Sequence, residues 1–253
     1  MKAVLEVREL AKHFTKDGTD LVALRGFDLT VEPGCFLVLL GRSGCGKSTL
    51  LNLLAGLAPA TAGVIRYHGT AVTGPRTEIG YLTQHDTLMP WRDVRRNVEM
   101  PMELRGDPKA ERIRAAQELI ERVGLAGYER HYPRELSGGM RRRAGLARML
   151  AGDPETLLLD EPFSALDALL RTELQADLLR LWSGSGKSVV FVTHDIDEAL
   201  VLADRVVVLG ALGRIVLDLD VDLGRPRDLD EIRVDPGYVQ LHRRLAAALK
   251  EAA

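Results

Sequence analysis

The sequence predicts an α/β fold with a mainly parallel core sheet, N-terminal antiparallel strands and a helical insertion. Short continuous apolar runs recur along the chain, as in strands covered on both faces. They are residues 36–40, 156–159, 189–192 and 206–209. Helical patterns separate these runs, which is the order of elements in a layered α/β domain. A glycine-rich segment, GRSGCGKS, follows directly after the first run.

The N-terminal part predicts strands of another kind. Apolar and polar residues alternate from Phe27 to Val31, which indicates a half-buried strand. Residues 4–7 and 65–68 are weaker strand candidates. Together these segments are the expected N-terminal antiparallel strands.

The middle of the chain, from about residue 89 to residue 150, shows no convincing strand. Apolar residues at positions 113, 116, 119, 120 and 123 follow helical spacing, and Gly124 fits a helix cap. We interpret this stretch as a helical insertion and not as a separately folding domain. The chain is then a single domain, residues 1–253, with its core in 1–88 and 151–253. A further helix is predicted over residues 238–251.

Composition limits the kind of protein. The chain has 253 residues, 46% of them hydrophobic, which suits a globular core. Its net charge of -2 argues against a generally basic nucleic-acid binder. The two cysteines predict no disulfide framework. No apolar run approaches the roughly 18 residues of a membrane span, and Glu6 and Glu9 interrupt any signal peptide, so we expect a cytosolic protein.

Residues 41–48, here called the phosphate loop, fit the pattern G-x-x-x-x-G-K-[ST]. The loop lies between a buried strand and a helical run at 49–57, as phosphate binding requires. Its glycines allow backbone N–H groups to surround a β-phosphate. Lys47 is expected to reach the β- and γ-phosphates, and Ser48 to coordinate Mg²⁺.

A second part of the same site is predicted in the sequence LLLDE at 157–161. An apolar strand ends there in a carboxylate, so Asp160 is expected at the strand tip, where Mg²⁺ binds. Glu161 is placed to orient an attacking water. The alternative is that Glu161 only caps the following turn.

The sequence ELSGGMRRR, residues 135–143, contains a second candidate phosphate-binding turn. Ser137 is followed by two glycines and then by a helical run, which leaves backbone N–H groups free at a helix start. A single domain with two such turns needs an explanation. We call residues 136–140 the signature turn.

Taken together, these motifs resemble those of the ATP-binding cassette (ABC) ATPases over nearly the whole chain. The matching pieces, in order, are Phe14, GRSGCGKS, YLTQ ending at Gln84, LSGGM, LLLDEP, SALD at 164–167, and THD with His194. The resemblance implies that two cassettes pair head to tail, and that each signature turn contacts the γ-phosphate of ATP held by the other chain. That pairing explains the second turn.

The resemblance also implies a role for each matching residue, with ATP and Mg²⁺ as ligands. The ATP-binding residues would be Phe14, Gly41, Arg42, Ser43, Gly44, Cys45, Gly46, Lys47, Ser48 and Thr49. The catalytic residues would be Glu161, His194 and Gln84. The Mg²⁺ ligands would be Ser48, Gln84 and Asp160. The contacts to the partner's ATP would be Ser137, Gly138, Gly139 and Asp167.

Three of these roles are specific. Phe14 would stack on adenine. Gln84 would contact Mg²⁺ or the attacking water and would sense an attached membrane subunit. His194 would bind the γ-phosphate and position Glu161, unless it is merely a surface histidine at a strand end.

Three positions depart from the family pattern. Met140 stands where Gln is commonest, Arg142 where many members have Gln, and Arg42 where Pro is frequent. None of these changes removes a catalytic group, so we expect activity. The basic run 141–143 is either a nucleic-acid patch or an exposed helix face near phosphates or a permease, and we favour the exposed face.

The sequences LMPW at 88–91, DEPFSALDALLR and THDIDEAL are similar to those of nitrate, sulfonate and taurine importer ATPases. Trp91 is expected in a groove that receives a permease helix, or as a buried aromatic that braces the insertion. This resemblance implies an ATPase at the cytoplasmic face of the cell membrane that energises uptake of a small anion or small organic molecule.

The implied partners are a second ABC ATPase subunit (a copy of this chain or a paralogue), transmembrane permease subunits and, indirectly, an extracytoplasmic substrate-binding protein, with no nucleic acid. Two alternatives are a soluble ABC ATPase acting on nucleic acid or ribosomes, and a non-hydrolysing binding subunit. Intact Lys47, Glu161 and His194 argue against the second alternative.

Overall fold

The structure, a computed structural model, describes residues 3–16, 19–84, 87–164, 166–225, 227 and 232–252. Its contacts divide the chain into two compact units. The first unit comprises Met1–Arg76 and Gly184–Ala253, and the second comprises Thr77–Ser183. Ala165, within the predicted SALD turn, lies outside the described residues.

Strands predominate in the N-terminal part, helices follow one another in the middle of the chain, and strands and helices alternate after residue 155. The strands are β1 (Leu5–Lys16), β2 (Thr19–Val31), β3 (Phe36–Gly41), β4 (Ala62–Tyr67), β5 (Thr70–Ala71), β6 (Ile79–Leu82), β7 (Thr156–Asp160), β8 (Ser188–Thr193), β9 (Arg205–Leu209) and β10 (Ile215–Asp220). The helices are α1 (Lys47–Leu54), α2 (Val94–Arg105), α3 (Lys109–Arg122), α4 (Gly138–Ala151), α5 (Ala168–Trp182), α6 (Ile196–Leu202) and α7 (Pro236–Glu251).

In the first unit, an antiparallel sheet has the strand order β2-β1-β4-β5. The predicted N-terminal strands are confirmed, but β1 and β2 are much longer than residues 4–7 and 27–31. Register shifts interrupt the β1–β2 pairing between Val7 and His13. Such bulges break the period-two alternation by which a strand is recognised in sequence, so the sequence pattern did not reveal the full lengths of β1 and β2.

The first unit also contains a series of strands in the order β10-β9-β3-β8. β3 pairs in parallel with β8 and with β9, and every residue of β3 and β8 is buried. Three of the predicted apolar runs therefore form adjacent parallel strands. β10, which pairs antiparallel with β9, was not predicted. Most of its residues are partly exposed, so it lacks the continuous apolar run of the central strands.

The helix after the phosphate loop is shorter than the predicted 49–57. α1 ends at Leu54 because Gly56 adopts a left-handed φ of 69°. A Cβ atom at Gly56 would lie 2.1 Å from the carbonyl oxygen of Gly74, so only glycine fits this turn. The predicted C-terminal helix is confirmed as α7, which begins two residues earlier.

In the second unit, β6 and β7 pair in parallel and α2, α3, α4 and α5 accompany them. No strand occurs in residues 89–150, all of which are described, as predicted. One apolar cluster joins α2, α3 and α4, and it includes Ala116, Ile120 and Val123 from the predicted helical face. The limits of a folding insertion, about 89–150, stay a prediction.

In the first unit, two arginines hold the carboxyl end of α6, the helix that follows His194. Arg227, 9% exposed, donates to the carbonyls of Leu200 and Ala203 at 3.0 and 2.5 Å. Arg225 donates to the carbonyl of Leu202 at 2.7 Å and pairs with a carboxylate of the same unit. Burial lowers the pKa of the Arg227 guanidinium to about 10. Its hydrogen bonds thus satisfy carbonyls that a helix end leaves unpaired.

We predict that Arg227→Met lowers the free energy of unfolding by about 2 kcal/mol or more, because buried carbonyls lose a charged donor. Urea denaturation followed by circular dichroism measures the change. Arg214→Met, the same change at an exposed arginine of the same unit, is the control and should have little effect. Equal midpoints for the two variants would contradict the assigned role.

Candidate functional site

The phosphate loop connects the buried strand β3 to α1. Gly44 and Gly46 adopt left-handed φ values of 84° and 103°. A Cβ atom at Gly41 would lie 2.8 Å from the carbonyl of Leu209, and one at Gly46 would lie 2.8 Å from the carbonyl of Ala23. These glycines therefore let the backbone turn and pack closely, as a loop that surrounds a phosphate requires.

Lys47 lies inside this loop. The side chain is only 5% exposed, and its Nζ donates to the carbonyls of Gly41 and Arg42 at 2.7 and 2.8 Å. Ser48 follows in the first turn of α1 and is exposed. The ammonium group is thus held at the centre of the loop by backbone oxygens, where a phosphate can take over the contact.

The structure places His194 beside the phosphate loop. Leu40 pairs with Thr193 in the parallel register of β3 and β8, so His194 follows β8 at the edge where the loop leaves β3. Asp195 caps α6 by accepting from the N–H groups of Asp197 and Glu198 at 2.9 and 3.2 Å. In open α/β sheets this carboxyl edge is where ligands bind.

Phe14 lies on β1 of the same unit, with 41% of its surface exposed. The Lys12 Nζ lies 4.8 Å from the centre of its ring. An exposed aromatic face with a neighbouring cation can stack on a nucleobase. Phe14 can therefore serve as a stacking platform.

In the second unit, β7 ends at Asp160, whose side chain is 3% exposed. The hydroxyl group of Tyr81 donates to Asp160 at 3.4 Å. Burial, together with the Asp160 carboxylate, raises the pKa of Tyr81, so its hydroxyl stays protonated and acts as a donor. The YLTQ motif was recognised in the sequence, but the hydrogen bond from its tyrosine to Asp160 was not predicted.

Gln84 and Asp160 emerge at the same edge of the second unit. Leu82 pairs with Leu159 in the parallel register of β6 and β7, and Gln84 follows two residues after β6. Glu161, directly after Asp160, has a left-handed φ of 42°. That backbone is strained for a residue other than glycine, and such strain concentrates at functional sites.

The signature turn and the start of α5 lie in contact in the second unit. Ser137 caps α4, since its Oγ accepts from the N–H of Met140 at 3.2 Å. Asp167 caps α5 by accepting from the N–H of Leu170 at 3.0 Å. A Cβ atom at Gly139 would lie 2.3 Å from Leu170 Cδ2, so the glycine permits the two segments to approach. Both caps leave backbone N–H groups at a helix start.

Two of the three departures from the family pattern have simple structural explanations. Met140 packs against the apolar cluster of α2, α3 and α4, so it contributes packing in place of the hydrogen bonds of Gln. Arg42 is exposed, and its carbonyl is one of the acceptors of Lys47. The substitution therefore leaves the hydrogen bonds of the phosphate loop intact.

The interpretation of the basic run 141–143 as an exposed helix face is wrong. Arg141, Arg142 and Arg143 are all partly buried. Their guanidinium groups bond to other segments of the second unit, through the carbonyls of Leu136 and Thr83 and the carboxylate of Glu173. The run therefore does not form a free basic surface, which also removes the basis of a nucleic-acid patch.

The interpretation of Trp91 as a buried brace is also wrong, because Trp91 is 71% exposed. Leu88 is the residue of this segment that packs into the helical cluster. Asn97 is fully buried; it accepts from the N–H of Met89 at 2.8 Å and donates to the carbonyls of Met89 and Arg92. Asn97 thus fixes the segment and leaves the indole on the surface.

A cavity of about 410 Å³ lies in the second unit near this segment. Its lining comes from β6, α2 and α4 and from the chain around residue 87, and it includes Tyr81, Met89, Pro101, Arg148 and Met149. This mixture of apolar side chains with a few polar groups is typical of a binding groove.

Each unit offers oxygen donors of the kind that Mg²⁺ prefers. Ser48 of the first unit carries a hydroxyl and Asp160 of the second unit carries a carboxylate, and both are hard ligands. Among the described residues, no group of three or more His, Cys, Asp and Glu side chains could hold a metal.

Comparisons with known proteins agree with this geometry. The sequence profile of the ABC transporter family matches residues 24–164. An uncharacterized ABC transporter ATP-binding protein of Methanocaldococcus jannaschii is 46% identical over 252 residues, which are 99% of this chain and 93% of that protein. The taurine import ATP-binding protein TauB of Escherichia coli K12 is 43% identical over 234 residues, 90% of this chain and 92% of that protein.

A solved structure is also similar. The ATP-binding cassette MJ0796, described as a dimer in a post-hydrolysis state bound to ADP and Pi, has a TM-score of 0.80 and 28% identity. The match covers 87% of this chain and all of that chain. The fold expected from the sequence is thereby confirmed.

We predict that Ser137→Ala lowers the free energy of unfolding by about 1 kcal/mol, because α4 loses its cap. Ser137→Asp should retain wild-type stability, since a carboxylate accepts from the same N–H group and suits a helix start. ATP turnover should nevertheless fall in Ser137→Asp, because the signature turn is predicted to contact a phosphate, which a carboxylate would repel. Urea denaturation and phosphate release measure the two effects. Loss of stability in both variants would contradict the capping role.

Proposed function

The chain belongs to the ABC transporter family, and from this premise we propose that it is the ATP-hydrolysing subunit of an importer. The importer takes up a small anion or small organic molecule of the nitrate, sulfonate or taurine type through a separate permease. The observation that carries the proposal is the 43% identity to a taurine import ATP-binding protein over 90% of this chain. The phosphate loop and every expected catalytic side chain are intact.

ATP is bound first by residues of the first unit. Phe14 stacks on adenine, and the backbone of residues 41–46 surrounds the β-phosphate. Lys47 exchanges its bonds to the carbonyls of Gly41 and Arg42 for the β- and γ-phosphates. Ser48 and Thr49 complete the phosphate contacts at the start of α1, where the helix dipole favours negative charge.

Hydrolysis requires a water molecule in line with the γ-phosphate. Glu161 orients and polarises that water, His194 bonds to the γ-phosphate, and Gln84 contacts the water from the end of β6. The strained backbone of Glu161 supports this assignment, since it fixes the direction of the side chain. Ser48, Asp160 and Gln84 would hold Mg²⁺, which neutralises phosphate charge when bound.

The second phosphate-binding turn acts on a partner's ATP. Ser137, Gly138, Gly139 and Asp167 contact the nucleotide of a second ABC subunit, either a copy of this chain or a paralogue. The close approach of Gly139 to the start of α5 supports this, because it brings the signature turn near the segment that Asp167 caps. The dimeric state of the similar cassette also supports it. Hydrolysis then depends on dimer formation.

The permease docks on the second unit, at the cavity lined by Tyr81, Met89 and Arg148 and beside the exposed Trp91. None of the helices in the described part of the chain has the length and apolarity of a membrane span. The subunit therefore reaches the cytoplasmic face of the membrane through its partner. Substrate selection belongs to the permease and to an extracytoplasmic binding protein.

The alternative of a soluble ABC ATPase acting on nucleic acid or ribosomes finds no support in the site. The basic run 141–143 is the segment that could have formed a nucleic-acid patch, and its guanidinium groups bond within the protein. A non-hydrolysing subunit is disfavoured because Lys47, Glu161 and His194 are all present.

We predict that Lys47→Ala nearly abolishes ATP binding, because the loop loses its cation. Glu161→Gln should keep ATP binding but reduce turnover by ~10²-fold or more, since the water loses its base. Fluorescent-nucleotide titration and phosphate release measure these effects. Wild-type turnover in Glu161→Gln would refute the role of that carboxylate.

We predict that the Glu161→Gln variant forms a dimer when Mg-ATP is added, so that its mass in solution doubles. A mass that stays monomeric would contradict pairing by this chain alone.

We predict that the full-length protein, tagged and recovered from membranes of its own cells, brings down a multi-span permease. Trp91→Glu should reduce that recovery, because it places a charge on the docking surface. Leu57→Glu is the matched control, since Leu57 is an exposed apolar residue of the other unit. Recovery of no multi-span protein by the wild type would count against the importer function.

A further inference from the structure

Three consecutive arginines of α4 reach three different segments of the second unit. Arg141 Nη1 donates to the carbonyl of Leu136, in the signature turn, at 2.6 Å. Arg143 Nη2 pairs with the Glu173 carboxylate of α5 at 3.1 Å. Arg142, between them, reaches the chain that follows β6. α4 is therefore tied to the signature turn, to the chain after β6 and to α5.

Arg142 makes the contact that bears on Gln84. Its Nη1 donates to the carbonyl of Thr83 at 2.6 Å, and its Nη2 donates to the carbonyl of Gln84 itself. The guanidinium is a planar fork of fixed donors, so it can hold two successive carbonyls at once. These carbonyls lie just beyond the end of β6, where strand pairing no longer fixes the backbone.

A second arginine of α4 also bonds to the chain that follows β6. Arg148 donates through Nη1 to the carbonyl of Thr87 at 2.8 Å and through Nη2 to the Thr87 hydroxyl oxygen at 2.5 Å. The chain is thus tied to one helix on either side of residues 85–86. That helix begins at the signature turn, so one element links the backbone of Gln84 to the segment that contains Ser137.

We propose that Arg142 is a positioning residue that fixes the backbone of Gln84 and couples it to the signature turn. The inference rests on the proposed function, in which Gln84 contacts the attacking water. The glutamine common at this position elsewhere in the family is shorter and neutral, and its donors share a single nitrogen, whereas arginine offers charged donors on separate nitrogens. A charged donor also makes a stronger hydrogen bond than a neutral amide.

The test compares Arg142→Gln, Arg142→Lys, Gln84→Ala and the double variant Arg142→Gln/Gln84→Ala in the full-length protein. Arg114→Gln, the same change at an exposed arginine of α3, is the matched control. Steady-state ATP hydrolysis gives kcat and KM for Mg-ATP, and thermal melting shows that each variant is folded.

We expect kcat to fall roughly tenfold in Arg142→Gln, because Gln84 would then be misplaced relative to the attacking water, and such misplacement slows the reaction. KM should change less than about twofold, since the phosphate loop is untouched. Arg142→Lys should fall between Arg142→Gln and the wild type, because lysine keeps the charge but not the fork. The double variant should be no slower than Gln84→Ala, since Arg142 then has no side chain to position.

Distinct results overturn the inference. Wild-type kinetics in both Arg142 variants would show that the contact is not used. A double variant slower than Gln84→Ala by the full effect of Arg142→Gln would show a purely structural role. Wild-type turnover in Gln84→Ala would overturn the inference together with the role proposed for Gln84. If Arg142→Gln does not fold, Arg142→Lys takes its place. The double variant is then Arg142→Lys/Gln84→Ala, and it is compared with Gln84→Ala in the same way.

Discussion

The burial of the strands that lead to the candidate site is the constraint on which the rest of the structure depends. β3, β7 and β8 are buried along their whole length, and the chain leaves the core at their carboxyl ends. The phosphate loop, Asp160 and His194 stand at these ends. A strand buried on both faces thus packs in the core and also fixes the position of the functional residue that follows it.

Helix ends provide the second level of organisation. Ser137, Asp167 and Asp195 each cap a helix with a side-chain oxygen, and each lies in a motif that the family uses. A cap fixes the first turn of a helix and points its free N–H groups outward. Motif residues in this protein therefore have a structural role in the free chain, before any nucleotide is bound.

Within each unit, arginine side chains connect the candidate functional segments to neighbouring helices. In the second unit α4 carries the guanidinium groups that hold the signature turn, the chain after β6 and α5. In the first unit Arg227 holds the carboxyl end of α6, the helix that follows His194. In both cases a charged fork satisfies backbone carbonyls that neither strand nor helix can satisfy. The local geometry of these segments thus depends on arginines that are not among the predicted ATP contacts.

The sequence by itself determined the fold class and the central strands and located the candidate motifs, because apolar runs and glycine-rich turns are local signals. It did not reveal the length of β1, since bulges interrupt the alternation, nor the exposed position of Trp91. It also misassigned the basic run: a row of arginines has the same appearance in sequence whether it faces water or bonds to carbonyls. Only the tertiary structure decided that Arg142 reaches the backbone of Gln84, because the two residues are distant in the chain and meet only when α4 packs beside the end of β6.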